Sequence, residues 1–305
     1  MKRLAKSTFT DGVLSDIGAF GGLFRPELGD MEEPVLVASA DGVGTKLKVA
    51  FDAGKHKTIG LDLVNHCVND ILVQGARPIF FLDYLATGRL SPQISAEVVE
   101  GIARGCRENG CALLGGETAE MPGFYQDGEY DLAGFIVGLV DRARIIDGHT
   151  IVPGDVLIGL PSTGLHTNGY SLARRILFDE LGFGLEQEID EWGCSVGEEL
   201  LRPHCSYQAA VRPTIDTGCV KGIAHITGGG LTDNVPRILP EGCNAVIDSR
   251  AWPVPPVFEF LQKHGDVPVD DMYRTFNMGI GLVIVCSRSD LDSVLTKLIS
   301  SGEVG

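Results

Sequence analysis

The chain has 305 residues, with 25 Lys and Arg against 41 Asp and Glu and a formal net charge of −16. That excess of negative charge excludes non-specific binding to nucleic acid or to an anionic membrane surface, since both would be repelled. A hydrophobic content of 44% with 40 glycines describes a folded α/β chain rich in tight turns, with two domains expected at roughly 150 residues each.

The N-terminus has no signal-peptide core, and no apolar run reaches about 18 residues, so a cytoplasmic protein without a membrane span is expected. The eight cysteines include no Cys-x-x-Cys pair. They read as reduced, mostly buried small hydrophobes and not as a zinc site.

Residues 1–33 lack clear periodicity, and the stretch from Gly18 to Phe24 is a glycine-rich arm. Such an arm either folds over a ligand or stays a mobile segment. Residues 35–38 read as a short buried strand that runs into Asp41-Gly42-Val43-Gly44-Thr45-Lys46. The two glycines let the backbone turn and approach a ligand closely. A carboxylate at a strand end suits a divalent cation, and Thr45 and Lys46 suit phosphate oxygens. The loop is not a Walker A motif, because Thr45 precedes Lys46, nor a dinucleotide fingerprint, because position 47 is leucine.

The spacing predicts a helix over 58–74, with Asp62, His66, Asn69 and Asp70 along one face. Such a stripe is either a solvated face or, given two acids, an amide and an imidazole, a place for a cation and its phosphate. A strand follows over 79–86, a helix over 92–109 and a strand over 111–114. The latter is expected to end in a second glycine turn, Gly115-Gly116-Glu117-Thr118-Ala119-Glu120-Met121-Pro122. A strand over 131–140 leads into a polar, turn-rich segment, which puts the domain boundary near residue 146.

The second half restarts with a strand over 155–160 and the loop Thr163-Gly164-Leu165-His166-Thr167-Asn168-Gly169-Tyr170-Ser171 ahead of a helix at 171–181. A loop of hydroxyls and glycines at a helix start is either an anion site or a plain capping loop closed by Asn168 or Ser171. A helix is expected over 198–217, with a break possible at Pro213. The run His225-Ile226-Thr227-Gly228-Gly229-Gly230 precedes a helix capped by Thr232 or Asp233. Strands over 243–248 and 278–286 and a helix over 289–300 complete the reading. The repeated order of strand, glycine-rich turn and helix gives two layered α/β domains, 1–146 and 147–305, with ligands beyond strand ends.

Five ordered motifs span nearly the whole chain: Asp41 to Lys46, Cys67 to Asp70, Gly115 to Pro122, His166 to Ser171 and His225 to Gly230. Together they resemble the phosphoribosylformylglycinamidine cyclo-ligase (AIR synthetase) family of purine biosynthesis. Its superfamily also holds selenophosphate synthetase, thiamine-monophosphate kinase and a hydrogenase maturation protein.

The resemblance implies an ATP- and Mg²⁺-dependent ring closure of formylglycinamidine ribonucleotide, in a homodimer whose N-terminal domains share a barrel-like sheet. It implies a nucleotide site from Asp41, Gly42, Val43, Gly44, Thr45, Lys46, Asn69, Asp70, Gly116, Glu117 and Thr118, with metal on Asp41, Asp70 and Glu117. It implies substrate contacts from Thr163, Gly164, His166, Asn168, Gly169, Ser171, Gly228 and Gly229. Catalytic roles fall to Lys46, His166 and His225, and to Lys2, which aligns with an active-site lysine after a one-residue slip in the glycine arm. Family chains usually begin earlier and extend further, and Ala40 stands where the family often has threonine. The rival expectations are another ATP-dependent kinase or synthetase of the superfamily, and a non-catalytic nucleotide-binding partner.

Overall fold

The computed structural model describes residues 1–301, and the chain divides into two compact units, Met1–Ile145 and a second from Ile146 onward. Both are mixed α/β. In the first, α1 (Lys2–Lys6) precedes the glycine-rich arm, which folds back on itself through a Val13–Phe24 bridge. There follow β1 (Pro34–Gly42), α2 (Lys46–Ala53), α3 (Lys57–Leu72), β2 (Arg77–Thr87), α4 (Pro92–Glu108), β3 (Ala112–Glu120) and β4 (Tyr130–Asp141). The sheet order is β1-β4-β2-β3, with β2 and β3 parallel and the other pairs antiparallel. Among the described residues this sheet is open, with β1 and β3 at its edges.

Helices α3 and α4 pack against each other and both touch the sheet; α3 is buried on nearly every side, with Ile59, Leu63, Val64, Cys67, Val68, Ile71 and Leu72 all buried. Its crossing with α4 is close because glycines remove the side chains there. A Cβ on Gly60 would lie 2.1 Å from the Val98 carbonyl oxygen, and one on Gly101 would lie 2.0 Å from the Lys57 carbonyl oxygen. Backbone cannot retreat as a flexible side chain can.

Two strands run further than expected. β1 continues to Gly42 because Asp41 and Gly42 still pair with Gly134 and Ala133 of β4. β3 continues through Gly115 and Gly116 to Glu120, held by parallel pairing with Leu82 to Thr87 of β2. Gly116 is a space requirement and not a turn: a Cβ there would come 2.2 Å from Asp83 Oδ1.

The second unit contains β5 (Val156–Pro161), α5 (Tyr170–Arg174) continued by a π-helical stretch over 175–180, and a small ribbon of β6 (Glu188–Ile189) and β7 (Cys194–Ser195). Then come α6 (Val196–Leu200), α7 (Gln208–Ile215), β8 (Val220–His225), α8 (Gly230–Asn234), α9 (Pro256–His264), α10 (Val269–Thr275), β9 (Ile280–Cys286) and α11 (Leu291–Ser300). Its sheet is antiparallel, in the order β5-β9-β8, and every residue of the central β9 is buried.

Four expectations fail here. The helix expected over 198–217 is two helices, because Pro203 follows α6 within three residues and has no N–H with which to continue it. Pro213 sits inside α7 and does not break it. No strand forms over 243–248; Val246, Ile247, Asp248, Ala251 and Trp252 instead line a cavity with Leu157 and Gly159 of β5 and Ile280 and Val283 of β9. A sheet face offers no backbone edge to pair with. The helix caps are glycines and not Asn168, Ser171, Thr232 or Asp233: Gly169 caps α5 at φ +79° and Gly229 caps α8 at φ +99°.

Among the described residues no helix is long and apolar enough to cross a membrane, and all eight cysteines are free thiols, four of them buried.

Because the α3–α4 contact is backbone on backbone, Gly101→Ala is expected to lower unfolding free energy by about 1–3 kcal/mol or more. Urea denaturation checks this; an unchanged midpoint would show that the two helices can separate without loss.

Candidate functional site

In the first unit the chemistry gathers where α3 passes the end of β1. Lys46, the first residue of α2, and Asp62, on the second turn of α3, form an ion pair at 2.8 Å with both side chains fully buried. Burial draws the Lys46 ammonium below its usual range, against the attraction of Asp62. One turn further along α3, His66 Nε2 lies 2.8 Å from Asp41 Oδ2 and 3.9 Å from Asp70 Oδ2. Ser39 Oγ donates to the same Asp70 oxygen at 3.0 Å. Burial alone would lower the His66 imidazole, but the Asp41 hydrogen bond and the charges of Asp70, Asp41 and Asp62 outweigh it and leave it raised.

The stripe on α3 is therefore not a solvated face, since Asp62, His66 and Asn69 are all buried. Asp41 and Asp70 keep access to solvent and converge on one imidazole nitrogen. Two carboxylates with room for water or phosphate oxygens are a donor set that fits Mg²⁺. Asp41 also accepts from the Gly42 N–H at 2.7 Å, Gly44 takes φ +57°, and Thr45 is the N-cap residue of α2.

Not all expected members meet in one chain. Gly116, Glu117 and Thr118 lie on β3, the sheet edge opposite Asp41, about three strand spacings of about 4.8 Å away. Lys2 lies on that side too: α1 packs on α4 and β3, and a Cβ on Gly18 would fall 3.2 Å from Lys2 Nζ. Glu117 of the same chain therefore does not complete the Asp41–Asp70 pair. Lys46 is enclosed with Asp62, and Asn69 is buried.

Asp83 was not foreseen. It stands in a row across the sheet, Asp41–Gly134–Asp83–Gly116, on the side that faces the helices. Burial pushes its carboxyl up to about 7. A single acid in the apolar run Phe80-Phe81-Leu82-Asp83-Tyr84-Leu85 was the available signal.

In the second unit, the loop after β5 and the loop after β8 close on a cluster of imidazoles. His166 takes φ +60°, and its Nε2 accepts from the Thr163 N–H at 3.1 Å. The His204 ring stacks on it, with centroids 4.0 Å apart and planes at 19°. His225 Nε2 lies 3.2 Å from His204 Nε2. Asn277 holds the loop from behind, accepting from Ser162 Oγ at 2.9 Å and donating to the Gly164 carbonyl at 2.9 Å. Asn168 Oδ1 lies against Gly228, 3.3 Å from where a Cβ would stand, so the loops carrying Thr163 to Ser171 and Gly228 to Gly230 meet. Phe276 occupies the place of a Gly169 side chain, 2.3 Å from a Cβ there. Sequence reasoning missed His204 because it lay within a stretch taken as helix.

Two family models cover the chain: the AIR synthase related protein N-terminal domain over residues 12–140, and the C-terminal domain over residues 152–304. A phosphoribosylformylglycinamidine cyclo-ligase from Geobacter metallireducens is 57% identical over 98% of this chain and 86% of its own length. The same enzyme from Syntrophotalea carbinolica is 55% identical over 98% of this chain and 85% of its own length. This chain belongs to the phosphoribosylformylglycinamidine cyclo-ligase family.

Among solved structures, a thiamine-monophosphate kinase from Stenotrophomonas maltophilia K279a is 19% identical, with a TM-score of 0.72 over 98% of this chain and 88% of that one. A hydrogenase maturation protein HypE, solved in complex with ATP, is 16% identical, with a TM-score of 0.63 over 97% and 79%. At such identities these structures share the fold of the cyclo-ligase chain and nothing finer.

The Asp83 carboxyl yields a signed pH prediction. Its folded value lies above the ordinary 3.8, so the folded state holds a proton that the unfolded chain releases, and stability falls as pH rises from about 4 to about 7. Asp83→Asn is expected to melt with the wild type near about pH 4 and above it near about pH 8. Calorimetric Tm values that differ by the same amount at both pH values would contradict this.

Proposed function

We propose that this chain closes the imidazole ring of 5-aminoimidazole ribonucleotide from formylglycinamidine ribonucleotide, with ATP consumed and ADP and phosphate released. Identity of 55–57% over 98% of the chain to enzymes named for that reaction carries the reading. A formyl amide oxygen is a poor leaving group, so the γ-phosphoryl group of ATP is transferred to it first, leaving ADP. The amidine nitrogen then attacks the activated carbon, the C–O bond breaks, phosphate departs and the nitrogen gives up a proton. Phosphoryl transfer of this kind needs positioning and charge neutralisation above all.

In this reading Asp41 and Asp70 hold Mg²⁺, which would draw charge from the phosphate oxygens. The Gly42–Thr45 turn follows the phosphates with its backbone N–H groups. Lys46 acts from behind: its bond to Asp62 fixes α3, and α3 carries Asp70. The 163–171 loop, with Gly228 and Gly229, takes the ribose 5′-phosphate. His166 and His225 move protons during ring closure, since imidazole titrates near working pH.

Lys2, Gly116, Glu117 and Thr118 join the nucleotide site from a second copy of the chain, in a homodimer built on a shared barrel-like sheet. The open sheet edges support this, as do Leu36 and Phe135, which are 65% and 44% exposed on the sheet face turned away from α3. The free thiols fit a reducing cytoplasm.

The decisive assay combines purified protein, ATP, Mg²⁺ and formylglycinamidine ribonucleotide, with detection of the aminoimidazole product and of ADP. Substrate-dependent release of both is expected. Asp70→Asn should keep the native circular dichroism and lose about a hundredfold or more in turnover. No product from the wild type, or unchanged turnover in the variant, would overturn the assignment.

A further inference from the structure

The roles given to His166 and His225 leave the third imidazole of the cluster without a task. His204 is fully buried in the non-helical stretch between α6 and α7. One of its nitrogens faces His225 Nε2 at 3.2 Å, and the other faces Thr167 Oγ1 at 3.2 Å. Two imidazole nitrogens at that distance bind each other only when one carries a proton and the other does not. Two N–H groups collide, and two lone pairs repel. The tautomers of His204 and His225 are therefore complementary.

The threonine hydroxyl can either donate or accept, so it accommodates both orders. If His204 Nε2 donates to His225, His204 Nδ1 accepts from Thr167, and neutral His225 carries its own proton on Nδ1. If His225 Nε2 donates, His204 Nδ1–H donates to Thr167, and His225 Nδ1 presents a lone pair.

The surroundings hold the His204 ring tightly. It lies flat on His166, with ring centroids 4.0 Å apart. Cys205, with Sγ 3.6 Å from His166 Nε2, and Tyr207, whose hydroxyl donates to the Pro161 carbonyl, also pack about the cluster. Gly281 of β9 leaves the room that His166 and Tyr207 fill: a Cβ there would come 2.6 Å from His166 Cε1 and 2.1 Å from the Tyr207 hydroxyl oxygen.

We propose that His204 is a positioning residue that sets the tautomer of His225, sharing one proton with it and passing the complementary change to the Thr167 hydroxyl. By deciding whether His225 Nδ1 offers a proton or a lone pair, His204 decides whether His225 starts the cycle as acid or base. The inference deepens the ring-closure reading and rests on it for its kinetic consequence, but its structural content stands by itself.

The experiment is ¹⁵N NMR of the histidine side chains in the full chain, assigned with His225→Gln and His166→Gln. In the wild type, His225 is expected to show one protonated and one unprotonated nitrogen, the signature of a single neutral tautomer. His204→Phe keeps the stacked ring and removes both nitrogens; His225 should then give averaged, mixed-tautomer shifts, and kcat should fall about tenfold or more with little change in KM. His204→Gln, whose amide again offers a donor and an acceptor near the Nε2 position, should recover the His225 signature and most of kcat.

Identical His225 shifts in the wild type and His204→Phe would overturn the proposal. If His204→Phe does not fold, Thr167→Val decides: it removes the partner of Nδ1 and should shift both His204 and His225, and unchanged shifts would overturn the proposal equally. A wild type that shows the single tautomer but makes no aminoimidazole would sink the ring-closure reading and leave the tautomer assignment standing.

Discussion

The ion pair between Lys46 and Asp62 is the constraint on which the first unit turns. Two opposite charges, both removed from water, are tolerable only when each is held against the other in good geometry. The 2.8 Å contact therefore fixes the start of α2 against the second turn of α3. Everything downstream on α3 inherits that register. Four residues on, His66 meets Asp41, and eight residues on, Asp70 meets Ser39. A helix rotated by a fraction of a turn would part the two carboxylates that remain open to solvent.

Glycine does the corresponding work by subtraction. Gly60 and Gly101 let α3 and α4 touch backbone to backbone, Gly116 makes room for Asp83, and Gly281 makes room for His166 and Tyr207. In each case the missing side chain allows a functional or supporting group to sit where packing would otherwise forbid it. Gly169 combines this with a left-handed φ, since Phe276 fills its side-chain position. The many glycines of the composition are thus used for close approach at least as much as for turns.

That distinction explains what was legible in the sequence. Elements with a clear period, such as α3, α4 and β4, appear within a residue or two of where the spacing puts them. Gly115 and Gly116 misled, because a glycine pair after an apolar run reads as a turn, whereas parallel pairing with β2 carries the strand through it. The 198–217 stretch misled because its apolar spacing continues across Pro203, and the interruption that places His204 in the core follows from backbone chemistry and not from hydrophobic rhythm.

Residues 243–248 carry a strand-like composition, yet a strand exists only where another edge completes its hydrogen bonds. Of the candidate site residues, Asp41, His66 and Asp70, which the structure brings together, were readable from type and spacing. Lys46 was readable as important but not as buried, because sequence does not reveal which charge finds its partner inside. Glu117 and Lys2 lie at the far sheet edge, where only strand order, invisible in a linear pattern, could put them.

The most direct measurement is the unfolding free energy of Lys46→Met, Asp62→Leu and the double variant, by urea denaturation. If the pair pins α3, each single change strands a buried charge or leaves its site unfilled, and Lys46→Met should cost about 3–5 kcal/mol. The double variant, with no charge left to strand, should regain most of that loss. Losses that simply add in the double variant would contradict the view that Lys46 and Asp62 act as one buried unit.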